Sequence, residues 1–293
     1  MLQAFGIADA LEITKLPGNE NDNYLVRSSQ SSFVIKRLLS YSAESTEHEA
    51  LYRQHLAAAG LPVTPYVNLD NGHCVYTNDN GDSYVAIPYV DGTIAEHSAA
   101  IVGQAGNLLA QLHQLDAAGL PERRTWFSKT YVSDSLPLIS TDHADAKTAM
   151  AQQFADLPDF WGGSLPTGIT HGDLHEGNLV LNPDKSTVVS ILDWEDTTIA
   201  PLVLDIAICA YQLSKVNKKC DSRLFDMFMD NYQQIRPLTD KEKQLFDDAV
   251  RYSRLVLSVW AHIKYSRREM GQELFERVGN YYRQEYAMPS IRS

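Results

Sequence analysis

Along the first ninety residues the apolar positions come in short runs. "LEITKL" (11–16) and "NYLVRS" (23–28) alternate apolar and polar side chains, the period that turns one face of a strand inward. "SFVIKRLL" (32–39) is a continuous apolar strand carrying Lys36. "PGNEND" between the first two has turn composition. "SAESTEHEALYRQHLAAAG" predicts a helix, with Ser45 or Thr46 as N-cap, acidic residues in the first turn and Gly60 at the end. "VTPYVNL" and "HCVYTN" read as further strands, and "DSYVAIPYVDG" as a strand running into Pro88 and Gly92.

Beyond Gly92 the period changes. "HSAAIVGQAGNLLAQLHQLDAAG" places Ile101, Ala105, Leu108, Leu109 and Leu112 at helical spacing. A second helical stretch falls within 141–156, and short strands at 179–181 and 187–192. Helical patterns then cover 201–215, 221–235, 239–265 and 268–286. The expectation is an α+β chain: a small antiparallel-sheet N-terminal lobe with one main helix (1–90), and a larger, mostly helical C-terminal lobe (91–293). The hinge falls at about 87–92. A length of 293 residues, more than one core comfortably holds, agrees with two lobes.

Composition narrows the function. A hydrophobic fraction of 44% with four Trp and fifteen Tyr describes a globular chain. A formal net charge of −12 argues against nucleic acid or an anionic membrane as the main partner. Cys74, Cys209 and Cys220 are widely separated, with no metal-knuckle or disulfide spacing, which suits a reducing compartment. With no signal-peptide pattern and no apolar run of membrane-spanning length, the expected location is the cytoplasm.

The chemistry concentrates in "THGDLHEGNLVL" (170–181). His171, Asp173 and His175 could be ligands of a zinc hydrolase, or the segment could be a polar turn. The spacing from Asp173 to Asn178, with His171 two before the Asp, matches the H-x-D-x-x-x-x-N catalytic loop of protein-kinase-like enzymes. Phosphoryl transfer to an alcohol needs a carboxylate to orient the hydroxyl and take its proton. It also needs oxygen ligands for Mg²⁺, and an Asn carbonyl supplies one without added charge. Asp193, where "VVSILDWED" runs off a buried strand, supplies a second. The hydrolase reading leaves Lys36, Asn178 and Asp193 unexplained.

"HGDLHEGNLVL" followed by "VVSILDWED" resembles the aminoglycoside phosphotransferase and choline kinase superfamily, small-molecule kinases with a two-lobed protein-kinase-like fold. Glu176 replaces the usual proline, and Ile199-Ala200 replaces the usual Gly-Asp; Pro201 and Asp205 remain. "FVIKR" is similar to the family strand whose lysine, here Lys36, holds the α- and β-phosphates. "HEALYRQHLAAAGLPV" is similar to the helix whose glutamate pairs with that lysine, with Glu49 at the matching distance and Glu47 its competitor. "KLPGNENDNYLV" takes the place of the phosphate-covering loop without G-x-G-x-x-G. "AIPYVDG" looks like the hinge, implying that Pro88, Tyr89 and Val90 meet adenine.

The resemblance thus implies ATP and Mg²⁺ as cofactors. Asp173 would be catalytic, Asn178 and Asp193 metal-binding, and the acceptor a small-molecule hydroxyl. Asp205 would brace the catalytic loop and His171 orient it, while His113 reads as a packed helix residue. Glu176, Glu195 and Asp196 could line an acceptor pocket, form a solvated rim or give additional Mg²⁺ support. Trp260 and Tyr265 could box an ammonium, and Arg251 and Arg254 could bind a carboxylate. Similarity to homoserine and hydroxylysine kinases favours an amino-acid or amino-alcohol acceptor such as homoserine. Choline or ethanolamine, an aminoglycoside and methylthioribose are the alternatives. A catalytically inactive nucleotide-binding module is the rival of another class.

Overall fold

The computed structural model describes residues 1–18, 21–96, 98–217, 219–283, 289 and 291. The strands are β1 (Ala10–Leu16), β2 (Asn21–Ser28), β3 (Ser32–Leu38), β4 (Tyr76–Thr77), β5 (Ser83–Pro88), β6 (Thr93–Ile94), β7 (Thr167–Thr170), β8 (Leu179–Leu181), β9 (Val188–Ile191), β10 (Thr198–Pro201), β11 (Lys215–Val216) and β12 (Lys219–Cys220). The helices are α1 (Ala43–Ala58), α2 (Ala99–His113), α3 (Tyr131–Ser135), α4 (Ala144–Ala155), α5 (Leu202–Leu213), α6 (Ser222–Ile235), α7 (Asp240–Ser266) and α8 (Gln272–Val278). The chain falls into two compact units.

The first unit comprises residues 1–95, 118–121 and 177–195. Its antiparallel sheet has the order β1-β2-β3-β5-β4. The alternation in β2 and β3 buries Val26 and Ile35, which cluster with Phe5, Ile7 and Ala86. Ala50 of α1 packs with Tyr66, Cys74 and Val85. Ser42, not Ser45 or Thr46, caps α1; its side chain accepts the Ser45 N–H. Of the strands expected at "VTPYVNL" and "HCVYTN", only Tyr76–Thr77 forms. Residues 63–69 run without strand pairing beyond single bonds such as Val67 N–H to Ala86 O, because the Pro in this stretch removes a ladder donor. Two residues of the segment between β1 and β2, 19 and 20, lie outside the described residues. A second sheet, β6-β8-β9, belongs to the same unit although its strands lie far apart in sequence.

The second unit comprises residues 96–117, 122–176 and 196–293. Every residue of α5 except Gln212 is buried, as expected for a helix that is apolar nearly all round. Helices α2 and α6 approach closely at Gly106, where a Cβ would lie 2.4 Å from Phe228 O. The long α7 starts at a capping box: Thr239 and Glu242 each bind the other's backbone N–H. The helix expected over 268–286 is shorter, α8 followed by a turn of 3₁₀ helix at Tyr281–Arg283; residues 284–286 lie outside the described ones. Strands β7 and β10 pair antiparallel, Thr170 opposite Thr198. The sequence pattern does not predict them: each is four residues long, and the partners lie some thirty residues apart. Among the described residues no helix is long and apolar enough to cross a membrane.

Candidate active site

In the first unit the site is built on β3 and the β8–β9 hairpin. Lys36, in the middle of β3, is buried, and its Nζ donates to Asp193 Oδ1 at 2.9 Å and Glu195 Oε1 at 2.8 Å. Burial alone would lower the Lys36 ammonium; the Asp193 and Glu195 carboxylates outweigh it and hold the group well above its ordinary value. Glu195 also accepts from Asn21 Nδ2 at 2.8 Å. Asn21 in turn accepts the Leu39 N–H at 3.1 Å, so this amide ties β2 and the end of β3 to Glu195. Burial, with the neighbouring carboxylates Asp193 and Glu49, pushes Glu195 up against the opposing pull of Lys36.

The two helix glutamates do different work. Glu47 accepts the backbone N–H groups of Cys74 and Val75, at 3.0 and 2.9 Å. Glu49 is buried, and its Oε1 accepts from Arg53 Nε at 2.6 Å and Tyr66 O–H at 2.7 Å. Glu49 therefore belongs to the buried cluster around Lys36, while Glu47 holds the loop before β4. The carboxylates that receive Lys36 include Glu195, which the sequence offers as a pocket residue, a rim residue or additional Mg²⁺ support, not as the partner of Lys36. Its signal was the "DWED" run at the end of a strand, but only the fold shows which way that carboxylate turns.

Asn178 is buried in the 3₁₀ turn Glu176–Asn178 that leads into β8. Its carbonyl accepts the Leu192 N–H at 2.8 Å, and Leu179 stands opposite Ile191. The register of the hairpin therefore puts residues 178 and 193 on adjoining backbone. Asp193 has φ 51°, a left-handed conformation that Asp tolerates better than most residues and that recurs where function requires it. An amide oxygen and a carboxylate on adjoining backbone form a hard donor set that suits Mg²⁺. The Glu49, Asp193 and Glu195 carboxylates lie here with the Lys36 and Arg53 cations.

In the segment expected to meet adenine, Pro88 closes β5 opposite Phe33. The Tyr89 N–H donates to Ser32 O at 2.9 Å, extending that ladder by one bond, and Arg27 lies over the Tyr89 ring. Val90 is half-buried.

In the second unit, Asp173 follows β7 in a loop held by its backbone. Asp205, on α5 and fully buried, accepts the N–H of His171 at 2.7 Å and of Gly172 at 2.9 Å. Gly172 has φ 86°, and a Cβ there would lie 3.0 Å from both Cβ and O of Asp196, so both conformation and space require glycine. The Asp173 N–H donates to His171 Nδ1 at 3.2 Å. The Asp173 carboxylate accepts from Gln212 Nε2 at 2.6 Å, and His175 Nε2 lies 3.7 Å from its other oxygen. The sequence pattern does not single out Gln212; the available signal is a polar residue near the end of a mostly apolar helix.

The support extends further. His113 Nε2 lies 3.0 Å from Asp205, and Tyr232 O–H lies 2.8 Å from His113 Nδ1. Arg236 donates to Tyr232 at 2.9 Å and to Glu242 of the α7 capping box at 2.8 Å. His113 is thus more than a packed helix residue. Burial would raise the Asp205 carboxyl, but the hydrogen bonds from His113 and from the Gly172 N–H help hold it below its ordinary value. Burial lowers His113, so it sits neutral beside an ionised Asp205. The hydrolase alternative finds no support here: His171 Nδ1 is engaged by the loop backbone. Among the described residues no three His, Cys, Asp or Glu side chains gather to hold an ion.

Arg254 gives Nε and Nη2 to Tyr281 O, and Arg251 pairs with Asp248. Tyr265 stacks on Phe275 with ring centroids 4.1 Å apart. Trp260 is half-buried on α7.

Known proteins are similar to this chain in sequence or in fold. The homoserine kinase of Methylobacillus flagellatus is 27% identical over 269 residues, covering 87% of this chain and 80% of its own. That of Neisseria meningitidis serogroup B is 24% identical over 241 residues, covering 80% and 77%. Among solved structures, an amicoumacin kinase in complex with AMP-PNP, Ca²⁺ and Ami has a TM-score of 0.72 at 16% identity, over 96% of this chain and 91% of that one. A microcompartment-associated aminopropanol kinase has a TM-score of 0.69 at 18% identity, over 96% and 93%. At such identities the solved structures establish the fold, which is kinase-like and α+β. The sequence pattern of the phosphotransferase enzyme family matches residues 12–238, and the chain belongs to that family.

Proposed function

We propose that this phosphotransferase moves the γ-phosphoryl group of ATP to a hydroxyl of an amino acid or amino alcohol, homoserine being the representative acceptor. The observation that carries the reading is the buried Lys36 held by Asp193 and Glu195, beside Asn178 on the adjoining backbone. The homoserine kinases among its relatives support the acceptor class, as do the amicoumacin and aminopropanol kinases that share its fold.

Lys36, steadied by Glu195 and by the Glu49–Arg53–Tyr66 group behind it, positions the ATP phosphates. Asn178 and Asp193 would hold Mg²⁺, which when bound neutralises phosphate charge. Residues 87–92, with Pro88, Tyr89 and Val90, would meet adenine. Asp173, oriented by Gln212, aligns the acceptor hydroxyl and takes its proton as the new O–P bond forms and the bond to ADP breaks. Asp205 keeps the loop backbone fixed so that this carboxylate arrives already placed.

ATP consumption measured over amino acids, amino alcohols, choline, sugars and aminoglycosides tests the reading, with Asp173→Asn alongside. We expect turnover with the first two classes and a loss of about 10²–10⁴ in kcat for the variant. Calorimetry should show nucleotide binding retained. Nucleotide binding without transfer to any acceptor would instead mark a binding module, and near-normal turnover by Asp173→Asn would remove Asp173 from its role.

A further inference from the structure

Helix α5 turns one stripe toward the loop that carries Asp173. Asp205, Cys209 and Gln212 stand at i, i+4 and i+7, positions that share a helix face. Asp205 holds the N–H groups of His171 and Gly172. Cys209 faces Asp205, the Leu174 backbone and Asp173. Gln212 touches the Asp173 carboxylate. The loop therefore runs along α5 toward its C-terminal end. Lys215 follows three residues after Gln212, just past the end of α5, in the short strand Lys215–Val216 that pairs with Lys219–Cys220.

Lys215 is half-buried, with Nζ 4.9 Å from the ring centroids of both Tyr211 and Tyr281. It donates to Tyr281 Oη at 3.2 Å. No carboxylate pairs with it among the described residues, in a chain with 37 acidic and 25 basic side chains. A tyrosine hydroxyl that accepts from an ammonium still has its own proton to donate. Lys215 and Tyr281 thus form a two-donor set against two aromatic walls, and Lys215 follows in the chain three residues after Gln212, which touches Asp173. The two arginines that the sequence offers as carboxylate binders are engaged: Arg254 with Tyr281 O and Arg251 with Asp248.

We propose that Lys215, with the Tyr281 hydroxyl, binds the carboxylate of the acceptor, so that the enzyme selects hydroxy amino acids over the corresponding amino alcohols. This rests on the acceptor class proposed above and narrows it. A carboxylate fits the site because it offers two oxygens to two donors and compensates an ammonium that lacks a counter-charge. Choline and ethanolamine bring a cation instead and would be repelled. Lys215 is a specificity residue: it takes no part in proton transfer, and its effect falls on acceptor binding.

The test compares homoserine with 3-aminopropanol, which is homoserine without its carboxylate, in the wild type, Lys215→Met and Lys215→Arg. Methionine keeps an unbranched stem between the tyrosine rings, and arginine keeps the charge. We expect the wild type to favour homoserine in kcat/KM. Lys215→Met should reduce that preference by about ten- to a hundredfold, the usual worth of a hydrogen bond to a charged group. The change should come mainly through KM for homoserine, and Lys215→Arg should recover part of it. Thermal melting and nucleotide binding of each variant check that it is folded. A wild type that prefers 3-aminopropanol, or a Lys215→Met that loses both substrates in equal proportion, overturns the assignment while leaving the phosphotransferase reading intact. A wild type that phosphorylates neither alcohol but consumes ATP with another acceptor class overturns the acceptor reading and this inference together.

Discussion

The two carboxylates that receive Lys36 are not equivalent. The Asp193 side chain is 54% exposed, whereas that of Glu195 is 10% exposed and also tied to Asn21. Asp193 is the exposed member of the pair and Glu195 the buried, more tightly held one. Glu195→Gln keeps the shape and removes the charge that balances a buried ammonium. Because Lys36 retains Asp193, the loss in folding stability should be about 1–3 kcal/mol, less than for an abandoned buried ion. KM for ATP should rise, a change that a merely structural role would not produce. Urea denaturation and steady-state kinetics read the two effects, and an unchanged KM for ATP would show that Asp193 suffices to position Lys36.

At the scale of elements, the second unit depends on how closely α2 and α6 approach. Glycine inside a helix ordinarily costs about 1 kcal/mol relative to alanine, so Gly106→Ala considered alone stabilises α2. The structure reverses the sign. The added Cβ would meet Phe228 O at 2.4 Å, a backbone atom that cannot swing away. Overpacking of this kind costs about 1–3 kcal/mol, so the variant should be destabilised, with a lower urea midpoint. Because α6 carries Tyr232 and α2 carries His113, the displacement should also loosen the chain of hydrogen bonds that ends at Asp205. A Gly106→Ala variant as stable as the wild type would show that the two helices can separate freely.

At the scale of the whole molecule, that chain makes stability depend on pH. His113 has its folded-state pKa lowered from 6.5, so its contribution is complete above about pH 6.5 and is lost as the pH falls below it. Asp205 is lowered from 3.8, so its contribution persists to lower pH and is lost as the carboxyl protonates. Both act in the same direction. Glu195, held above its ordinary value, acts in the opposite one. The informative quantity is therefore the difference between proteins: the fall in Tm from pH 8 to pH 5 should be smaller in His113→Gln than in the wild type. Equal slopes would mean that His113 is not the neutral buried group described.

The pattern of apolar positions determined most of the elements here, because a strand or helix must turn its apolar face inward whatever it meets there. The order of His171, Asp173, Asn178 and Asp193 likewise pointed to phosphoryl transfer before any geometry, since that chemistry needs a carboxylate and oxygen ligands in a fixed sequence along one loop and hairpin. Tertiary structure alone decided the partners. Glu47 and Glu49 are two residues apart and chemically alike, yet one holds the Cys74 and Val75 backbone while the other is buried with Arg53 and Tyr66. Glu195 against Lys36, Gln212 against Asp173 and His113 against Asp205 join residues 159, 39 and 92 positions apart. The β7–β10 pair was hidden for the same reason. Local propensity acts over a few residues, whereas a side chain's partner is decided by which distant segment the packed core brings beside it.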